Sequence, residues 1–323
     1  MTMTAAQATW FAGIFDRLVA NVETVVLGKT FVIRLGFTAL LSEGHLLLED
    51  FPGTGKTSLA RAMAQSVDST SSRIQFTPDL LPGDITGVSI YNQSSGEFEF
   101  HRGPIFANIV LADEINRASP KTQAALLEVM EESTVTVDGI THPVTAPFMV
   151  IATQNPIEQA GTYRLPEAQL DRFIMKASIG YPDHTSTLRI LEGAGVKAHE
   201  TVVATIVTAD VVTEMSQLAR TVHVDSTIND YVSRLVQATR STAEVRLGAS
   251  VRGALALVRT AKTLAAASGR HYVIPDDIKA LVEPVLAHRL MLDPEAEFEG
   301  VTTSSVVAQI LLETPPPSDR LAV

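Results

Sequence analysis

Cysteine is missing from this chain altogether. Disulfides, thiolate metal sites and a cysteine nucleophile are thereby excluded, and a reducing, cytoplasmic location is the expectation. Positive charge is also scarce: 25 Lys and Arg stand against 36 Asp and Glu, a formal net charge of −11. Such a chain repels a nucleic-acid backbone unless a local basic patch overrides the total. No Lys/Arg cluster does so, and nucleic acid is not an expected partner. Long apolar runs are absent as well. None approaches the roughly 20 residues that cross a bilayer, and Lys29, Arg34 and Glu43 interrupt the apolar N-terminal third. Membrane insertion is therefore not expected. The stretch before Arg17 holds no Lys or Arg and does not read as a signal peptide. The lone histidines (His45, His101, His142, His223, His271, His288) show no metal-ligand spacing. Asn92-Gln93-Ser94 is a glycosylation sequon with no role in a cytosolic chain.

What is present is enough for real cores. Hydrophobic residues make up 46% of 323, a length that fits about two domains. Residues 5 to 42 read as two helices. Leu46-Leu47-Leu48 is a buried strand, and Ser58 to Ala64 begin a helical pattern. Between them lies Glu49-Asp50-Phe51-Pro52-Gly53-Thr54-Gly55-Lys56-Thr57. Strand, glycine-rich loop, helix is the context of a phosphate-binding P-loop. Gly53 and Gly55 let successive amides turn inward on an anion, and the helix presents its positive dipole end. Lys56 adds a cation at the β and γ phosphates, and Thr57 a hydroxyl for Mg²⁺. The expected nucleotide contacts are Pro52, Gly53, Thr54, Gly55, Lys56, Thr57 and Ser58. Asp50 stands where the full pattern has Gly.

Hydrolysis needs an acid and a positioned water. Ile109 to Asp113 is a short apolar run ending in Asp113-Glu114, the appearance of a strand buried on both faces. Ligands gather at the carboxyl ends of such strands. Asp113 is the candidate Mg²⁺ ligand and Glu114 the candidate general base. Asn155, just past another strand (148 to 153), can touch the γ-phosphate and the water; its plain alternative is a turn before Pro156. Ser119-Pro120 starts the intervening helix. Hairpins are expected within about 83–104 and 134–147, the second on Asp138-Gly139. After Tyr181-Pro182-Asp183 helical periodicity dominates. The fold class is α/β, a parallel sheet flanked by helices, with an all-helical second domain. The expected division is 1–182, 183–310 and a flexible tail, 311–323.

The set Pro52–Thr57, Leu111–Asn116, Ala152–Pro156 and Leu165–Phe173 resembles the AAA+ ATPases, and within them the MoxR family. The resemblance covers roughly residues 10 to 295. It implies Walker A at Lys56 and Thr57, Walker B at Asp113 and Glu114, and sensor 1 at Asn155. Arg172 matches the arginine finger, which reaches a neighbouring subunit's γ-phosphate. A trans Arg neutralises charge on the transferring group and can be worth about 10³–10⁵ in rate; the plain alternative is a surface ion pair with Asp171. Gly248–Arg252 resembles sensor 2, with Arg252 touching nucleotide from the lid; the alternative there is a solvated helix face. Arg164 and Val251 depart from the family pattern, each standing where Pro is usual. The resemblance further implies hairpins that contact substrate or line a ring pore, a homo-oligomer (a hexameric ring), and ATP and Mg²⁺ as cofactors. It implies protein clients too, notably von Willebrand factor A domain proteins. Competing readings are a DNA-translocating motor, which needs a basic hairpin tip, and a nucleotide-gated module that hydrolyses slowly. A small-molecule kinase has no use for Arg172.

Overall fold

The computed structural model describes residues 2–51, 53–155, 163, 165–193 and 203–317. Pro52, Pro156, Arg164 and the tail from 318 lie outside the described residues.

The chain opens with α1 (Ala5–Glu23) and α2 (Thr30–Leu41). Thr4 starts α1 as a capping box: its backbone N–H donates to Gln7 Oε1 at 2.9 Å, and its hydroxyl accepts from Gln7 N at 3.3 Å. Next come β1 (Leu46–Glu49), α3 (Lys56–Ser66), β2 (Ser71–Gln75) and a short α4 (Pro82–Thr86). The first hairpin is β3 (Gly87–Asn92) with β4 (Glu97–Arg102), followed by β5 (Ile109–Asp113) and α5 (Pro120–Glu132). The second is β6 (Thr134–Val137) with β7 (Ile140–Pro143), before β8 (Met149–Gln154), α6 (Glu167–Leu170) and β9 (Met175–Ala177). Asp138 and Gly139 both take positive φ, 51° and 77°, as a two-residue turn matched to strand twist requires.

Five strands form one parallel sheet in the order β2-β5-β8-β1-β9. Side chains alternate across it: Leu46 and Leu48 enter one apolar cluster and Leu47 the other. The order sets β8 between β1 and β5, so that the chain leaving β8 emerges between those leaving the other two.

Beyond the sheet are α7 (His184–Gly193), α8 (Ala209–Arg220) and α9 (Ser226–Ser241). These are followed by β10 (Val245–Leu247), α10 (Val251–Ala267), α11 (Pro275–Leu286), β11 (Met291–Leu292), α12 (Pro294–Phe298) and α13 (Thr303–Glu313). The lid region is helical, with one short antiparallel pair, β10 and β11, added to it. Strands of three and two residues are too short to leave a periodic trace. Helix α13 runs past the expected boundary at 311. Val306, Val307 and Ile310 bury one face of α13, and the helix runs on to Glu313, just before Pro315. One apolar cluster continues from α1 and α2 through the sheet into α8, α9, α10 and α11. Among the described residues, no helix is long and apolar enough to cross a membrane.

Candidate functional site

The loop after β1 is set by Asp50. Its carboxylate accepts from Gly180 N and Ser178 Oγ, both at 2.9 Å, and from Ile179 N. The side chain thus points away from the loop and staples it to the segment leaving β9. That accounts for a carboxylate where the full motif has glycine. Gly53 and Gly55 have φ of 83° and 91°, and a Cβ on either would meet open space, so conformation rather than crowding demands glycine. Gly55 caps α3 without any side-chain bond to its first turn, which leaves the leading amides directed into the loop. Lys56 is buried, with Nζ 3.2 Å from the Asp50 carbonyl. Thr54 Oγ1 donates to the Phe51 carbonyl at 3.2 Å, and Thr57 and Ser58 are exposed. Phe51 stacks on Tyr181 at 5.8 Å beside them.

Asp113 closes β5 two strands from the loop. Thr153, on β8 beside it, donates to Asp113 Oδ1 at 2.6 Å and accepts from Glu114 N at 2.8 Å. Arg73 Nη2 meets Asp113 Oδ2 at 2.6 Å. Glu114 is left-handed (φ 57°), a conformation that costs a non-glycine residue about 1 kcal/mol or more. Its Oε2 takes Gln75 Nε2 at 2.9 Å and Arg117 Nε at 3.1 Å. Asn155 is buried at the end of β8, between the other two. Lys56, Asp113, Glu114 and Asn155 therefore share one end of the sheet. Thr153, Gln75, Arg73 and Arg117 escaped the sequence reading. Only Thr153 left a trace, as a hydroxyl closing an apolar run.

No group of three His, Cys, Asp or Glu able to hold a metal occurs among the described residues. Mg²⁺ binds through one or two carboxylates plus substrate phosphates and water. Asp113 and the Thr57 hydroxyl are the groups at this end of the sheet that could hold such an ion.

Arg172 lies at the other end. It precedes β9, and Ile174 N donates to the His45 carbonyl at 2.9 Å, just before β1 begins. The four residues of β1 rise about 3.3 Å each, so roughly 13 Å of strand separates Arg172 from the loop at the far end. Arg172 Nη2 contacts Glu131 Oε2 at 2.9 Å, and Nη1 donates to the Leu127 carbonyl. Arg252 joins this group, at the end of the sheet away from the chain's own P-loop. Its Nη2 is 2.7 Å from Glu131 Oε1, and Ser250, which caps α10, donates to Asp171 Oδ2 at 3.3 Å. Asp171 also takes Arg289 Nε at 2.7 Å. Burial lowers Arg289 from its ordinary pKa, with Asp171 opposing the shift. The motif identified Arg252 but could not say which end of the sheet it would occupy.

Similar proteins cover nearly the whole chain. Residues 45–175 match the model of the ATPase family associated with various cellular activities (AAA), and residues 237–310 that of the AAA lid domain. YeaC of Bacillus subtilis is 49% identical over 312 residues, 96% of this chain and 97% of that protein. Chaperone MoxR1 of Mycobacterium tuberculosis is 41% identical over 305 residues, 92% of this chain and 80% of that one. A crystal structure of a Cytophaga hutchinsonii protein superposes with a TM-score of 0.91 at 38% identity, covering 97% of this chain and 98% of that chain. With its P-loop, its acidic strand end and a lid of the matching kind, the chain belongs to the MoxR family of AAA+ ATPases.

Proposed function

We propose that ATP and Mg²⁺ are bound between adjacent copies of this chain in a closed ring, read as a hexamer. One copy supplies Lys56, Thr57, Asp113, Glu114 and Asn155. The next supplies Arg172 and Arg252. A single observation carries the reading: both arginines sit at the end of the sheet opposite their own P-loop, out of reach of their own nucleotide.

The chemistry follows from the residues. The amides of Gly53 to Lys56, with the Lys56 ammonium, hold the phosphates. Mg²⁺ bound there would neutralise charge on the β and γ oxygens, with Thr57 and Asp113 holding it. Glu114 takes the proton of the attacking water once Gln75 and Arg117 release its carboxylate. Asn155 orients that water. The arginines offered across the interface stabilise the charge that develops on the departing group.

The energy released is spent on remodelling a protein client in the cytoplasm, where ATP is supplied. A relative named as a chaperone supports the remodelling role. Family membership favours clients bearing a von Willebrand factor A domain. A DNA motor is disfavoured: residues 134–147 contain no Lys or Arg, and the net charge is −11.

Specific ATPase activity should fall steeply on dilution as rings dissociate. Activity that stays constant down to concentrations where light scattering sees single copies overturns the shared site.

A further inference from the structure

We propose that Glu131 is a positioning residue that yokes Arg172 to Arg252 and sets both for the terminal phosphate held by a neighbouring copy. The proposal rests on the shared-site reading above.

Glu131 engages both arginines with one carboxylate. Oε2 is 2.9 Å from Arg172 Nη2, and Oε1 is 2.7 Å from Arg252 Nη2. The three residues come from separate elements: the last turn of α5, the segment before β9 and the first turn of α10. Two guanidiniums sharing a carboxylate would otherwise repel each other and turn apart. A guanidinium has five N–H donors in a rigid fork, and the contacts to Glu131 and Leu127 use few of them. Donors remain for a phosphate.

Glu131 is not required to fasten the lid. Arg259 Nη2 donates to the carbonyls of Ser42 and Glu43, at 2.5 and 2.8 Å, and Arg289 is tied to Asp171 and the Phe173 carbonyl. The buried residues Leu257, Ala261 and Ala265 anchor α10 in the apolar core. Nor are the two arginine heads wedged between elements. With Glu131 they line a cavity of about 620 Å³ between the sheet end and the lid. Arg172, Arg252 and Arg289 against Glu131 and Asp171 leave one positive charge in excess, the sign an incoming phosphate needs.

The test separates a yoke from a fold-holding ion pair. Glu131→Ala should lower kcat about tenfold or more, as loss of alignment does. KM for ATP should change less than about twofold, because the phosphates are held by another copy's P-loop. Glu131→Gln keeps one acceptor oxygen and should fall between. Subunit mixing then assigns the interface. Lys56→Ala copies mixed with Arg172→Ala copies should regain activity, since some interfaces pair an intact P-loop with intact arginines. Adding Glu131→Ala to the Lys56→Ala copy should cut that recovery by the factor seen in kcat. Adding it to the Arg172→Ala copy should leave recovery unchanged. Full recovery with Glu131 missing beside the intact arginines overturns the yoke. No recovery in the first mixture overturns the shared-site reading beneath it.

Discussion

At the carboxyl ends of the strands the chemistry is held largely by backbone. Glycines at positive φ, the uncapped start of α3 and the left-handed Glu114 place the groups that would meet a nucleotide. At the amino ends it is held by side chains. Arg172, Arg252 and Arg289 are fixed by two carboxylates from distant parts of the chain. The phosphate loop of the first is a dozen consecutive residues, joined by Asp113 and Glu114 at the end of β5 and held by Asp50 to residues 178 to 180. The second exists only when the lid, α5 and the β9 edge have come together.

The sharpest way to break the comparison is to remove the arginine end alone. Arg172→Ala should reduce turnover by about 10³–10⁵ while equilibrium binding of ATP survives; a variant that loses binding instead places Arg172 in its own copy's cradle. Removing the base at the other end comes next. Glu114→Gln should retain ATP and lose about 10²–10⁴ in turnover, read in single-turnover assays. An unchanged rate there means another group takes the proton.

Asp50→Ala attacks the backbone side of the comparison. Three donors lose a buried acceptor, which should lower stability by about 4 kcal/mol in urea unfolding and raise KM for ATP. If stability falls and KM does not move, the staple serves the fold and not the loop.

The mildest effect is with pH. Burial lowers the His45 pKa to about 4, against the pull of its bond to the Met130 carbonyl. Between pH 6.5 and about 4 the unfolded chain binds a proton that the native chain refuses. Stability is therefore complete above 6.5 and falls as the pH drops toward 4, by roughly 3 kcal/mol from this group. Below that the loss levels off. His45→Gln should flatten urea midpoints across that window, and parallel profiles for the two proteins would assign the slope elsewhere.

Much of the carboxyl end was legible because its signals are local. Leu46 to Thr57 carries strand, loop and helix start in twelve residues, and Asp113-Glu114 ends an unbroken apolar run. The amino end was legible only as a family pattern. Glu131 is one acid among several on an amphipathic helix, and nothing nearby points to partners at 172 and 252. Asp50 read as a departure from a motif because the groups it binds, 178 to 180, lie far along the chain. Gln75 alternates with its neighbours like any edge-strand residue. The paired strands β10 and β11 are separated by the whole of α10 and α11, and each is too short to show a period.

Helix α5 begins just after the Glu114 segment and ends at Glu131 and Glu132. Thirteen residues at about 1.5 Å each make a stiff rod of roughly 20 Å, running from the carboxyl to the amino ends of the strands. Under the shared-site reading its two tips serve different catalytic events, one in each direction around the assembly. A displacement at the first tip would be carried to the second by a stiff helix. The same rod would then join two neighbouring sites within one subunit.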